Sequence, residues 1–127
     1  MKVLFVMPKL GAWATHGHHL APNQLYAHWA SYVREKGTTE DVEVLDCKAL
    51  GIEMDQMAEI VKQKNPDAVV LGEMLHSYGG YATLWYFNES AKRIKAALPK
   101  VKIILGGLWY SAMPLETLTD NPAVDYI

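Results

Sequence analysis

The sequence predicts an α/β fold: a flavodoxin-like (Rossmann-like), doubly wound parallel sheet of five strands in the order 2-1-3-4-5. Two observations predict it. Short apolar runs alternate with amphipathic stretches at helical spacing along all 127 residues. The resulting order, β-α-β-α-β-α-β-α-β, puts helices on both faces of one sheet through right-handed crossovers.

Each element has its own signal. Lys2 to Met7 (KVLFVM) is a continuous apolar run, which marks a strand buried on both faces. Pro22 to Lys36 reads as a helix with Leu25, Trp29, Tyr32 and Val33 on one face. Pro22 suits its first turn, and Gly37 sits just past its end. Val42 to Asp46 (VEVLD) is the second strand. Met54, Met57, Ala58 and Val61 give a second helical stripe, stopped by Asn65-Pro66-Asp67. Ala68 to Gly72 (AVVLG) is the third strand. Leu84, Phe87, Ala91, Ile94 and Leu98 line a third helix, which Pro99 ends. Val101 to Leu105 (VKIIL) is the fourth strand, Pro114 to Thr119 a short helix, and Ala123 to Ile127 (AVDYI) the fifth strand. The chain is expected to be a fragment of a longer protein, because it stops inside that strand and a covering helix should follow.

Composition narrows the function classes. Hydrophobic residues make up 50% and charged residues 20%, an ordinary globular balance. Twelve Lys and Arg against 14 Asp and Glu leave a net charge of −2, without the basic footprint of a nucleic-acid binder. No apolar run approaches the ~18 residues of a transmembrane span. The one cysteine, Cys47, excludes a disulfide framework and multi-cysteine metal sites, and fits a reducing, cytoplasmic compartment. It reads as a small hydrophobe rather than a nucleophile.

In open α/β sheets ligands bind beyond the carboxyl ends of the strands, near the switch point between strands 1 and 3. The loop after strand 1, Pro8 to Ala21, has 14 residues, where such loops usually take roughly 2–6. The loop after strand 3 is Glu73 to Gly80 (EMLHSYGG), and that after strand 4 is Gly106 to Met113 (GGLWYSAM). Trp13, Tyr78, Trp109 and Tyr110 collect in these loops, which suggests an apolar crevice for a flat ligand or a partner domain. Gly72, Gly79, Gly80, Gly106 and Gly107 cluster there too, and glycine lets a ligand approach the backbone. Glu73 and His76 are candidate polar groups of that crevice.

Familiar occupants of the fold are excluded. No G-x-G-x-x-G follows strand 1, and no G-x-x-x-x-G-K-[ST] occurs. The first loop lacks a Ser/Thr-rich phosphate cradle. A phosphoacceptor would need acidic residues where Met7-Pro8 and Gly72 stand. His16, His18 and His19 form H-x-H-H, either a solvated loop or a divalent-metal site for Zn, Ni or cobalt. No nearby carboxylate or thiolate completes a ligand set, and no catalytic residue emerges.

The chain resembles the N-terminal cobalamin (B12)-binding domain of B12-dependent radical SAM enzymes. These are methyltransferases and the anaerobic ring cyclase of magnesium-protoporphyrin monomethyl ester. The resemblance rests on KVLFVMP, APNQLYAHWASYVREKG, VEVLDCKAL, NPDAVVLGEM, VKIILGGLWYSAMPLETL and NPAVDYI. The segment LGG-x-x-x-S-x-x-P-x-E-T-L follows the family's fourth-strand pattern, with Leu115 before Glu116.

The resemblance implies a domain over residues 1–127 that carries cobalamin, followed in the parent protein by a radical SAM catalytic domain. That domain would hold the iron–sulfur cluster and bind S-adenosylmethionine. The nucleotide tail would enter beside strands 3 and 4, flanked by Gly106 and Gly107, with Ser111 in hydrogen-bonding reach. Gly72 stands where many such domains carry Ser or Thr. Glu73, Met74, Ser77 and Trp109 would complete the upper rim. The mutase motif D-x-H-x-x-G is missing, as no Asp occurs between Met1 and Glu40. The corrin would therefore lie over the first loop, on Leu10, Trp13 and His16, with no histidine ligating cobalt. Other readings of the residues remain a flavodoxin-like binder of another ligand and an H-x-H-H metal protein.

Overall fold

The computed structural model describes residues 1–11, 24–37, 39–72 and 80–127. Its elements are β1 (Val3–Met7), α1 (Gln24–Lys36), β2 (Val42–Asp46), α2 (Cys47–Leu50), α3 (Met54–Lys64), β3 (Ala68–Gly72), α4 (Gly80–Ala97), β4 (Lys102–Gly106), α5 (Leu108–Ala112) and α6 (Pro114–Asp120). The strands form one all-parallel sheet in the order β2-β1-β3-β4.

Five strands were expected, and the described residues form four. Residues 121–127 explain the difference. Val124 N–H donates to the Asn121 carbonyl at 3.0 Å, so a turn consumes Ala123 and Val124. Only the last residues run extended, and Tyr126 makes a single parallel bridge to Ile104. That bridge lies on the outer edge of β4, where the fifth strand was expected.

The layers follow from alternation along the strands. Leu4 and Val6, Val69 and Leu71, and Ile103 and Leu105 are all fully buried. They face the layer of α3 and α4, which pack on each other. Met57, Val61, Phe87, Ala91 and Ile94 supply the other side of that core. Each large side chain there contributes roughly 1.5–3 kcal/mol by leaving water.

Helix α1 departs from the expected face. Tyr32 is 66% exposed, and the buried residues are Tyr26 and Ala30, flanked by half-buried Trp29 and Val33. Tyr26 and Ala30 are one turn apart, so they form the inner line and push Tyr32 outward. Pro22 lies outside the described residues.

Two short helices escape the sequence pattern. In α2 the Asp46 carboxylate caps the first turn by accepting from Ala49 N–H at 3.0 Å, and Gly51 closes it at φ 67°. Helix α5 follows Gly107. Cys47 opens α2 and is fully buried. Burial, with the Asp46 charge beside it, pushes its thiol up to about 12. Native protein at pH 8 is therefore expected to resist iodoacetamide, and urea-unfolded protein to take one adduct, read by intact mass. Alkylation of the native chain at the unfolded rate would contradict this burial.

Candidate functional site

The strand register opens a crevice at the switch point. β1 stays paired with β2 as far as Met7 and Asp46, and β3 with β4 as far as Gly72 and Gly106. The β1–β3 pairing ends earlier, at Phe5 and Val70. Beyond it the two central strands part.

The Tyr26 hydroxyl fills that gap. It donates to the Gly72 carbonyl at 2.9 Å and accepts from the Gly72 N–H at 2.7 Å. Two backbone groups that β1 no longer reaches are thus satisfied by a side chain of α1. Burial pushes the phenol's pKa far above its ordinary value, so it stays neutral and serves as donor and acceptor together. Its ring meets Phe5 at 5.9 Å and stacks on Trp29 at 5.9 Å, at interplanar angles of 55° and 26°.

Phe5, Val70 and Ile104 form one cross-strand row on the α1 side of the sheet. Phe5 is covered, whereas Val70 and Ile104 are half-buried. Among the described residues, helix α1 therefore shields β1 and leaves a half-covered lane over β3 and β4. At the carboxyl end of that lane sit two paired glycines. Among the described residues, a Cβ on Gly106 would meet no heavy atom within 4 Å. A Cβ on Gly72 would lie 3.0 Å from the Gly106 carbonyl oxygen, so the strands pack closely there. Gly107 turns the chain at φ 125°, ψ 173°, a conformation essentially restricted to glycine.

The other expected site residues divide by position. Trp109, 48% exposed, and exposed Ser111 stand on α5, just beyond the end of β4. Tyr110 was grouped with the crevice aromatics, but it is buried, its hydroxyl donating to the Leu84 carbonyl at 3.3 Å. Leu10 belongs to the core at 8% exposure. The first loop begins on the far side of the sheet, where Lys9 pairs with Glu53 before α3 and Gly11 abuts the Tyr86 ring of α4. Trp13, His16, His18, His19, Glu73, Met74, His76, Ser77 and Tyr78 lie outside the described residues. Among the described residues no cluster of three His, Cys, Asp or Glu could hold a metal ion. Nor is any described helix long and apolar enough to cross a membrane.

Sequence reasoning missed Tyr26, Val70 and Ile104. Their importance depends on which strands part and which residues pair, and neither is written in a single segment's pattern. A separate cavity of about 280 Å³ lies between α4 and α5–α6, lined by Leu84, Asn88, Trp109, Met113 and Asn121 among others. It is on the α4 side and shares no residue with the lane's floor.

The model of the B12 binding domain family matches residues 22–127. No curated protein and no solved structure matches the chain. The described residues fit cobalamin. Half-buried Val70 and Ile104 give an apolar strip suited to the apolar part of its nucleotide tail, and among the described residues nothing stands within 4 Å of a Cβ on Gly106. No charged side chain belongs to the Phe5–Val70–Ile104 row or the glycine pair. The match covers most of the chain and the lane agrees with it, so the chain belongs to the B12-binding domain family and its cofactor is cobalamin.

Proposed function

We propose that the chain is the cobalamin-carrying module of a B12-dependent radical SAM enzyme, a cytoplasmic methyltransferase or a ring cyclase of the magnesium-protoporphyrin monomethyl ester type. The observation that carries this reading is the segment Leu105 to Leu118, LGG-x-x-x-S-x-x-P-x-E-T-L, in a chain without D-x-H-x-x-G. Five of its residues have a place in the local structure. Gly106 leaves the lane open, Gly107 makes the turn, and Ser111 is presented on α5. Pro114 starts α6, with Glu116 in its first turn.

Bound cobalamin supplies a cobalt centre that can carry a methyl group. The chain's own part is to hold the tail on Val70, Ile104 and Gly106, exclude water from it, and present the corrin beside Trp109 and Ser111. Exposed Leu108, Trp109 and Met113 are suited to meet the catalytic domain across that rim. With Cys47 its one cysteine, the chain holds no three-cysteine cluster motif, so S-adenosylmethionine cleavage falls to the downstream domain.

The test has two arms. Titration with hydroxocobalamin is expected to give a red complex with an altered corrin spectrum. With S-adenosylmethionine and a reductant added, the chain alone is expected to cleave none. A longer form reaching into a C-x3-C-x2-C segment is expected to cleave it. Cleavage by the 127-residue chain, or a coding sequence past Ile127 that lacks the cysteine triad, would overturn the radical SAM assignment. The cobalamin arm would still stand.

A further inference from the structure

We propose that the cavity between α4 and α5–α6 is a second ligand site, and that it takes a small zwitterion with an apolar side chain, the class of a free α-amino acid such as leucine. The inference is independent of cobalamin binding.

Three observations carry it. First, two hydrogen bonds fix which levels of the two walls face each other. The Tyr110 hydroxyl donates to the Leu84 carbonyl at 3.3 Å, and Asn121 Nδ2 donates to Asn88 Oδ1 at 3.1 Å. Leu84, Asn88 and Lys92 follow one another at one-turn spacing along a single line of α4. The cavity of about 280 Å³ therefore grades from an apolar end at Leu84 and Trp109, past Met113, to a polar end at Asn88 and Asn121.

Second, the lining holds charges of both signs that the fold does not use. Lys92 lines the cavity from α4, and Glu116 and Asp120 line it from α6. All three are exposed, and among the described residues none of them forms an ion pair. Their neighbours on α4 are engaged: Arg93 pairs with Glu89 and Asp55, and Lys95 with Asp125. Third, Asn121 is 3% exposed, and its Oδ1 accepts no hydrogen bond among the described residues. A buried side-chain oxygen is nearly always given a donor. A ligand ammonium supplies one, with the Glu116 and Asp120 carboxylates to balance its charge. Lys92 takes the ligand carboxylate, and the apolar side chain runs toward Leu84 and Trp109. A ligand of one charge would leave one wall unanswered, and an uncharged apolar ligand would leave Asn121 without a donor.

The experiment titrates the 127-residue chain with three probes of one carbon skeleton. They are L-leucine, isocaproate, which lacks the ammonium, and isoamylamine, which lacks the carboxylate. The side-chain amide signals of Asn88 and Asn121 are followed by NMR. Leucine is expected to move them saturably, with a Kd of about 1 mM or tighter, and each truncated probe to bind about fivefold or more weakly. Lys92→Met is expected to weaken leucine about fivefold and to leave isoamylamine unchanged. The double variant Glu116→Gln, Asp120→Asn is expected to weaken leucine by a similar factor and to leave isocaproate no weaker. These positions are exposed, so the variants keep the fold. No saturable shift with leucine, equal binding of the three probes, or leucine affinity unchanged in both variants would overturn the site.

Discussion

Gly106→Leu is expected to abolish cobalamin binding, weakening it by about 100-fold or more, and to leave stability within about 1 kcal/mol of wild type. The two halves of that expectation come from one geometric fact. Among the described residues, a Cβ on Gly106 meets no heavy atom within 4 Å, which leaves room for a side chain there. The backbone is ordinary extended strand in register with Gly72, so no left-handed strain arises. The room in question is the lane proposed for the tail, and an isobutyl group placed in it would compete with a tail bound there.

The neighbouring glycines do not give so clean a result. Gly107 holds φ 125°, and a side chain there costs about 1–3 kcal/mol in backbone strain, whatever becomes of the ligand. A Cβ on Gly72 presses on the Gly106 carbonyl at 3.0 Å and pushes β3 from β4. Gly106→Ala serves as the graded control, with a smaller loss of affinity. Corrin absorbance titration and thermal unfolding of the same samples provide the measurement. Wild-type affinity in Gly106→Leu would place the tail elsewhere.

What the sequence made legible is what lies within one segment. The four expected strands became β1 to β4 within a residue at each end; β1 and β3, the most buried, carry the uninterrupted apolar signal. The stripe Met57, Ala58 and Val61 faces inward as its spacing requires. Relations between segments were not legible. That Gly72 pairs with Gly106 is a matter of register, and the early end of the β1–β3 pairing belongs to the sheet as a whole. Tyr26 was overlooked because its partner on the inner line of α1 is Ala30, too small to stand out beside Trp29 and Tyr32. Helix α2 carried a signal that went unread, Asp46 before it and Gly51 after it, because its single turn has no apolar period. The run AVDYI looked like a strand, and the turn from Asn121 took its first two residues.

That shortened segment yields the second large effect. Asp125→Asn is expected to lower stability by about 2 kcal/mol at pH 7, and the difference from wild type is expected to vanish in acid. The segment has one bridge to Ile104 and three backbone hydrogen bonds to Ile103 and Leu105, and the Asp125 carboxylate adds to them. Oδ2 accepts from the Ile103 N–H at 2.9 Å and from Lys95 Nζ at 2.7 Å, and Oδ1 accepts from Lys102 Nζ at 3.1 Å. The side chain is 18% exposed, so these charge-assisted bonds are partly shielded from solvent. Burial by itself would raise the carboxyl's pKa. The bonds from Lys95, the Ile103 amide and Lys102 outweigh it and bring the group from 3.8 to about 2. A depressed folded-state value means stabilisation that is complete above the unfolded value near 4. It is lost as pH falls from there through about 2, when protonation removes the charge that the lysines hold. Glu43, brought to about 2 by hydrogen bonds from Lys2 and Lys64, adds acid sensitivity of the same sign in both proteins and so cancels from the difference. Urea unfolding at pH 7, 4, 3 and 2 measures the gap. A gap that is constant over this range would show that the carboxylate's charge is not what holds the segment. Because Tyr126 pairs with Ile104, which floors the lane, loosening the segment also frees the lane's outer edge. Cobalamin affinity in Asp125→Asn is therefore expected to fall with stability, and by less than in Gly106→Leu, since the slot loses support without being filled.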